Sequence, residues 1–170
     1  HNIILHGVGI IFFLITIKNF KKISELKYLW LLIIVLWVGI YVYKNHDDFP
    51  YYHLTYALNL SENSFIVGTG NFSHGFRTFS SLFFFHSILY MPFVDFYLFH
   101  SGPFFILIFF NFIIISELIK SYKSKKFDFL YFFSLLSFIF INVAFYRIAE
   151  HGTDRSAQIL LILIFISFIK

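Results

Sequence analysis

The strongest constraint on this chain is a succession of charge-free apolar stretches, each close to the length that crosses a hydrocarbon core. Residues 3–17 (IILHGVGIIFFLITI), 28–43 (YLWLLIIVLWVGIYVY) and 129–146 (FLYFFSLLSFIFINVAFY) contain no Asp, Glu, Lys or Arg. A core roughly 30 Å thick is spanned by about 20 helical residues rising ~1.5 Å each. Tyr28, Trp30, Tyr41 and Tyr43 frame the second stretch, as the aromatic belt of a spanning helix does. A soluble helical core is the competing reading, and composition speaks against it. Only 13% of residues are charged and 59% are hydrophobic, where about 25% charged is usual for soluble domains, so too little polar sequence remains to cover such a core. The expected fold is all-α, a polytopic transmembrane helical bundle.

The net charge of +4 would suggest nucleic acid in a soluble protein. Here the lysines fall in two short clusters between apolar segments, which is the signature of membrane topology, and no nucleic-acid partner is expected. With no cysteine, disulfide, thiolate and Cys-metal chemistry are absent. No signal peptide is visible. The sequence opens at His1 inside an apolar stretch and ends at Lys170 just after another, so it reads as a piece of a longer protein. The abundance of Phe, Ile, Lys and Asn, all encoded by AT-rich codons, hints at an AT-rich genome.

Lysines at 18, 21, 22 and 27 and at 120, 123, 125 and 126 place the turns 18–27 and 120–126 in the cytoplasm by the positive-inside rule. The loops 44–77 and 147–156 then face the outside. Between them the chain must cross an odd number of times, although 78–118 is almost long enough for two crossings. The expected solution has 78–94 (TFSSLFFFHSILYMPFV) lying along the outer interface or re-entering, and 99–118 spanning. Ser80, Ser81, His86, Ser87 and the break at Pro92 suit an interfacial helix. The spans are then about 3–17, 28–43, 99–118, 129–146 and 157–169, in a multi-pass protein of the plasma membrane, the inner membrane of a bacterium. Two full crossings in 78–118 would instead return 147–158 to the cytoplasm.

This topology brings acidic residues of two loops to one membrane face. The first loop carries NHDDFPYYHLTYALNL (45–60), with Asp47 and Asp48, His46 and His53, then Glu62, His74 and Arg77. The second carries Arg147, Glu150, His151, Asp154 and Arg155. A carboxylate just above the membrane can act as a general base toward a sugar or lipid hydroxyl, or share a divalent cation such as Mg2+ or Mn2+. Arg77, Arg155, His53 and His74 can neutralise a phosphate. The bland alternative is a solvated loop in which Asp47 or Asp48 caps a helix through YYHLTYAL. His46, Asp48 and His53 match no metal-ligand spacing, and no metal site is assigned. GTGN (68–71) is too short for a phosphate-cradling loop and reads as a turn. Asp95, His6 and His100 read as interfacial or helix-satisfied residues.

Taken in order, HDDFPYY and the later GTDRSAQILL resemble the membrane glycosyltransferases of the GT-C superfamily, which includes relatives of the protein mannosyltransferases and of the aminoarabinose transferase of lipid A. Their first outer loop opens on an acidic pair followed by Tyr, here Asp47, Asp48 and Tyr51 or Tyr52, with Asp where Glu is usual. A second loop often carries Asp after Thr, here Thr153 and Asp154. More narrowly, Tyr52-His53, Gly68, Gly70-Asn71, Arg77 and Ser80-Ser81 are similar to a group of bacterial polytopic membrane proteins, over roughly residues 28–170. The resemblance implies the N-terminal part of an enzyme moving a sugar from a polyprenyl-phosphate donor to a lipid, glycan or protein acceptor. Asp47 would be the base with Asp48 beside it, Asp154 would place the acceptor or a metal, and Arg77 or Arg155 would meet the donor phosphate. Such enzymes usually have more helices and an outer domain, so this stretch alone would be inactive. A transporter or flippase of lipid-linked sugars and a non-catalytic membrane subunit are the alternatives.

Overall fold

The computed structural model describes residues 2–20, 26–41, 47–63, 67–77, 80–144 and 154–170. Among them the chain is all-α, with one isolated bridge, Met91 to Asp95. The longer helices are α1 (Asn2–Phe20), α2 (Leu26–Tyr41), α3 (Leu54–Glu62), α4 (Ser81–Ile88), α5 (Ser101–Ser124), α6 (Phe129–Ala144) and α7 (Asp154–Ile169). One continuous helical stretch, Phe96–Ser124, is long and apolar enough to cross a membrane, and Ile3–Thr16, Leu26–Val38 and Phe129–Val143 are shorter apolar helices. The chain divides into two units: His1–Ile23 with Lys44–Gly102 and Glu150–Thr153, and Ser24–Tyr43 with Pro103–Ala149 and Asp154–Lys170.

The second unit is built around α5, α6 and α7. Leu107, Phe110, Ile114, Ile141, Ile159 and Ile166 form its core. Alongside them it buries Asn111, Ser134, Ser137 and Ser156, while Phe132, Leu136, Ile139, Phe140, Val143, Leu161, Ile164 and Phe168 are exposed. Water would not favour buried hydroxyls beside so many exposed large apolar side chains, since hydroxyls solvate well and large apolar side chains do not. Small residues between helices and large apolar ones outside suit a lipid environment, where close backbone approach drives packing. Asn111 and Asn142 exchange amide hydrogen bonds between α5 and α6, Asn142 donating at 2.7 Å and Asn111 at 3.2 Å.

Local chemistry sets the helix ends. Asp128 Oδ1 accepts from the Tyr131 amide at 3.1 Å, an N-cap that starts α6. Pro103 falls in the first turn of α5, where its missing N–H costs nothing, so the Gly102-Pro103 pair opens this helix. α5 runs on through Lys120 and Lys123 instead of stopping at residue 118, because Lys is a good helix former and its charge suits a helix C-terminus. It ends with Lys125 in the left-handed region (φ 54°), the Lys126 amide reaching Ser121 O at 3.0 Å and the Lys125 amide reaching Tyr122 O at 3.2 Å, a Schellman closure.

Two sequence expectations change in detail. Among the described residues of 78–94, α-helix is formed by Ser81–Ile88 alone; Pro92 lies just beyond it, and Met91–Asp95 closes a turn with Asp95 at φ 52°. Glu117, inside the expected span 99–118, is buried and accepts a 2.6 Å ion-paired bond from Lys170 Nζ. The second unit therefore carries charge within its helices as well as in loops.

Candidate functional site

The first unit organises the acidic stretch. Pro50 sits in the first turn of a π-helical turn over Phe49–His53, where a proline nitrogen leaves no bond unmade. The Asp48 carbonyl accepts from the amides of Tyr51, Tyr52 and His53 at 3.2, 3.1 and 3.3 Å. The turn runs directly into α3, so Phe49–Glu62 is one continuous helical segment. Asp48 occupies the N-cap position, yet its carboxylate makes no capping bond. Instead its Oδ2 accepts from the Tyr52 hydroxyl at 3.5 Å, a long and weak contact. Asp47 precedes it, exposed. The alternative in which the Asp48 side chain caps the helix is therefore not what this carboxylate does.

Behind the carboxylates lies a cluster of rings. His53 and His86 are buried. Tyr52 stands edge-on to His53 at 4.4 Å between centroids, and His53 lies 5.4 Å from Phe83. Tyr56 packs on Phe83 at 5.1 Å and Phe76 at 5.4 Å. Phe49 stacks on His100 at 5.4 Å. Burial, with smaller contributions from His53 and His100, pushes the His86 imidazole down from 6.5 to about 3, so it stays neutral throughout the physiological range.

Tyr52-His53, Gly68, Gly70-Asn71, Arg77 and Ser80-Ser81 all fall within this unit, and several of them, with Gly75, have a structural task. A Cβ on Gly75 would lie 2.3 Å from Tyr52 Cγ, so only glycine lets the 74–76 turn close on the Tyr52 ring. Gly68 adopts φ 93°, the left-handed conformation that starts the Thr69–Asn71 turn. The GTGN glycines thus serve a turn, as expected. Arg77 Nε donates to Gly70 O at 3.3 Å. Ser80 Oγ accepts from the Leu82 amide at 3.3 Å and caps α4.

His74 is exposed at the start of the 74–76 turn. Asp154 is exposed as the first residue of α7, followed by half-buried Arg155. Both belong to the second unit, whereas Asp47, Asp48, His53, His74 and Arg77 belong to the first. Tyr43, His46, Arg147, Glu150, His151 and Thr153 lie outside the described residues, as do Lys21, Lys22 and Glu25. Among the described residues no three His, Asp or Glu side chains are arranged to hold a metal ion.

From sequence His86 reads only as a polar residue of an interfacial helix and His100 as a helix-satisfied one, with no sign that they lie near His53. Residues 53, 86 and 100 have no characteristic spacing, and only the folding of α4 against α3 gathers them. No family model matches this chain, and no curated protein or solved structure is significantly similar to it.

Proposed function

We propose that the chain is part of a multi-pass membrane protein of the GT-C type, transferring a sugar from a polyprenyl-phosphate-linked donor to an acceptor hydroxyl at the outer face. The observation that carries this reading is the Asp47-Asp48 pair, one carboxylate exposed and the other half-buried beside Tyr52, on a turn held by a buried ring cluster. Pre-organisation of that kind suits a base that must meet its substrate without rearranging. In the reaction the acceptor oxygen bonds to sugar C1 as the C1–O bond to the lipid phosphate breaks. The acceptor proton passes to Asp47, and the bonding pair leaves on the phosphate. Arg77 or Arg155 offsets the charge on the departing group, and Asp154 helps to hold the acceptor. The large apolar side chains exposed along α1, α2, α6 and α7 support a multi-pass protein, because a bilayer would cover them.

A second reading, transport of lipid-linked sugars or a non-catalytic membrane role, draws on Glu117 and the Asn111–Asn142 pair, since buried polar groups within apolar helices often mark pathways. Asp47→Asn in the full-length protein separates the two. It should cut sugar transfer by about a hundredfold or more while leaving insertion intact. Unchanged turnover would remove the base, and sugar translocation without transfer would favour the transporter.

A further inference from the structure

We infer that a basic cleft between the first turn of α2 and the last turns of α5 binds a phosphate group, that of an anionic phospholipid. The cleft, about 420 Å3, is lined by Lys27 and Tyr28 from α2 and by Ser116, Ile119, Lys120, Lys123 and Ser124 from α5. Helical spacing puts Ser116, Lys120, Lys123 and Ser124 on one face of α5. Among the described residues, three ammonium groups and no carboxylate therefore line one opening. Among the described residues no carboxylate pairs with any of these lysines, and the nearby Glu117 is taken by Lys170. Lys27 lies over the Tyr28 ring at 5.1 Å, which holds its stem at the mouth. The Ser116 hydroxyl is buried at the cleft and has no hydrogen-bond partner among the described residues. An unmet buried donor is costly, and a phosphate oxygen would satisfy it. The partial negative charge of about half a unit at the α5 C-terminus opposes an anion, but three full positive charges outweigh it.

A second feature selects a lipid over a soluble phosphate. Phe105, Phe109 and Ile113 are exposed on α5, and their spacing continues the same helical face up to Ser116 and Lys120. An apolar stripe leading into a basic cleft matches an acyl chain attached to a phosphate headgroup. The lipid assignment assumes membrane surroundings and is independent of the sugar-transfer reading.

The test uses the purified chain in phosphatidylcholine vesicles doped with phosphatidylglycerol, with retained lipid read by native mass spectrometry. Phosphatidylglycerol should be retained preferentially. Lys120→Gln with Lys123→Gln should weaken it about thirtyfold. Lys125→Gln with Lys126→Gln, which removes the same charge outside the cleft, should weaken it less than about threefold. Ser116→Ala, which leaves the charge untouched, should weaken it several-fold with helicity unchanged. Inorganic phosphate at matched ionic strength should compete poorly; full displacement would reassign the cleft to a soluble phosphate compound and overturn the lipid assignment. Equal losses in the two lysine pairs would mean diffuse attraction and would overturn the site.

Discussion

Acidification should loosen the first unit through a single imidazole. His86 is fully buried among Phe83, Phe85 and Gly102, with His53 and His100 adding to the cost of charging it. Its folded value of about 3 lies below the ordinary 6.5, so the opened state takes up the proton more readily than the folded one. The stability contributed by neutral His86 is therefore complete above about pH 6.5 and is lost progressively as the pH falls toward about 3. At about pH 5 the difference amounts to about 2 kcal/mol, at ~1.4 kcal/mol for each pH step below 6.5. That corresponds to an opening equilibrium about thirtyfold larger than near neutrality. Hydrogen exchange of peptides covering Ser81–Ile88, corrected for intrinsic rates, should show this increase between about pH 7.5 and pH 5 in the wild type. In His86→Leu the pH dependence should largely vanish. If wild type and variant respond to pH alike, His86 is not buried as a neutral base and the account of the ring cluster fails.

Two further substitutions test packing. Gly75→Ala drives a Cβ to within 2.3 Å of the Tyr52 ring, an overpacking that should cost about 1–3 kcal/mol; thermal melting should show the loss, and Tyr52→Ala in the same chain should relieve part of it. Asn111→Leu and Asn142→Leu, combined in a double-mutant cycle, should couple by about 0.6 kcal/mol and by no more than about 1.7. A coupling near zero would mean that the paired amides do not hold α5 to α6.

The helices were legible because their causes are local. Charge-free runs without internal Pro gave α1, α2 and α6 within a few residues of their expected limits, and the glycines of GTGN announced a turn. The ends of α5 and α7 were less legible. Lys120 and Lys123 read as a loop by charge although lysine continues a helix well, and Asp154 opens α7 where the apolar pattern begins only later. Tertiary facts were hidden for a different reason. Nothing local says that Gly75 must clear Tyr52, that His53, His86 and His100 share one cluster, or that Glu117 finds Lys170 fifty-three residues away. Arg77, expected to meet a phosphate, donates Nε to the Gly70 carbonyl, a partner that no charge pattern could reveal. The candidate carboxylates themselves stood out in sequence, as neighbouring charges in an apolar chain.

The reading of function depends on Asp47 and Asp154 emerging from the same side of a membrane. Single cysteines introduced as Asp47→Cys, Asp154→Cys, Lys22→Cys and Lys125→Cys, in a stretch that has none of its own and with any cysteine elsewhere in the protein replaced, decide this by labelling intact cells with an impermeant maleimide. The account predicts modification at 47 and 154 and protection at 22 and 125 until the membrane is opened. Labelling at 47 with protection at 154 would place the two acidic stretches on opposite sides and contradict it.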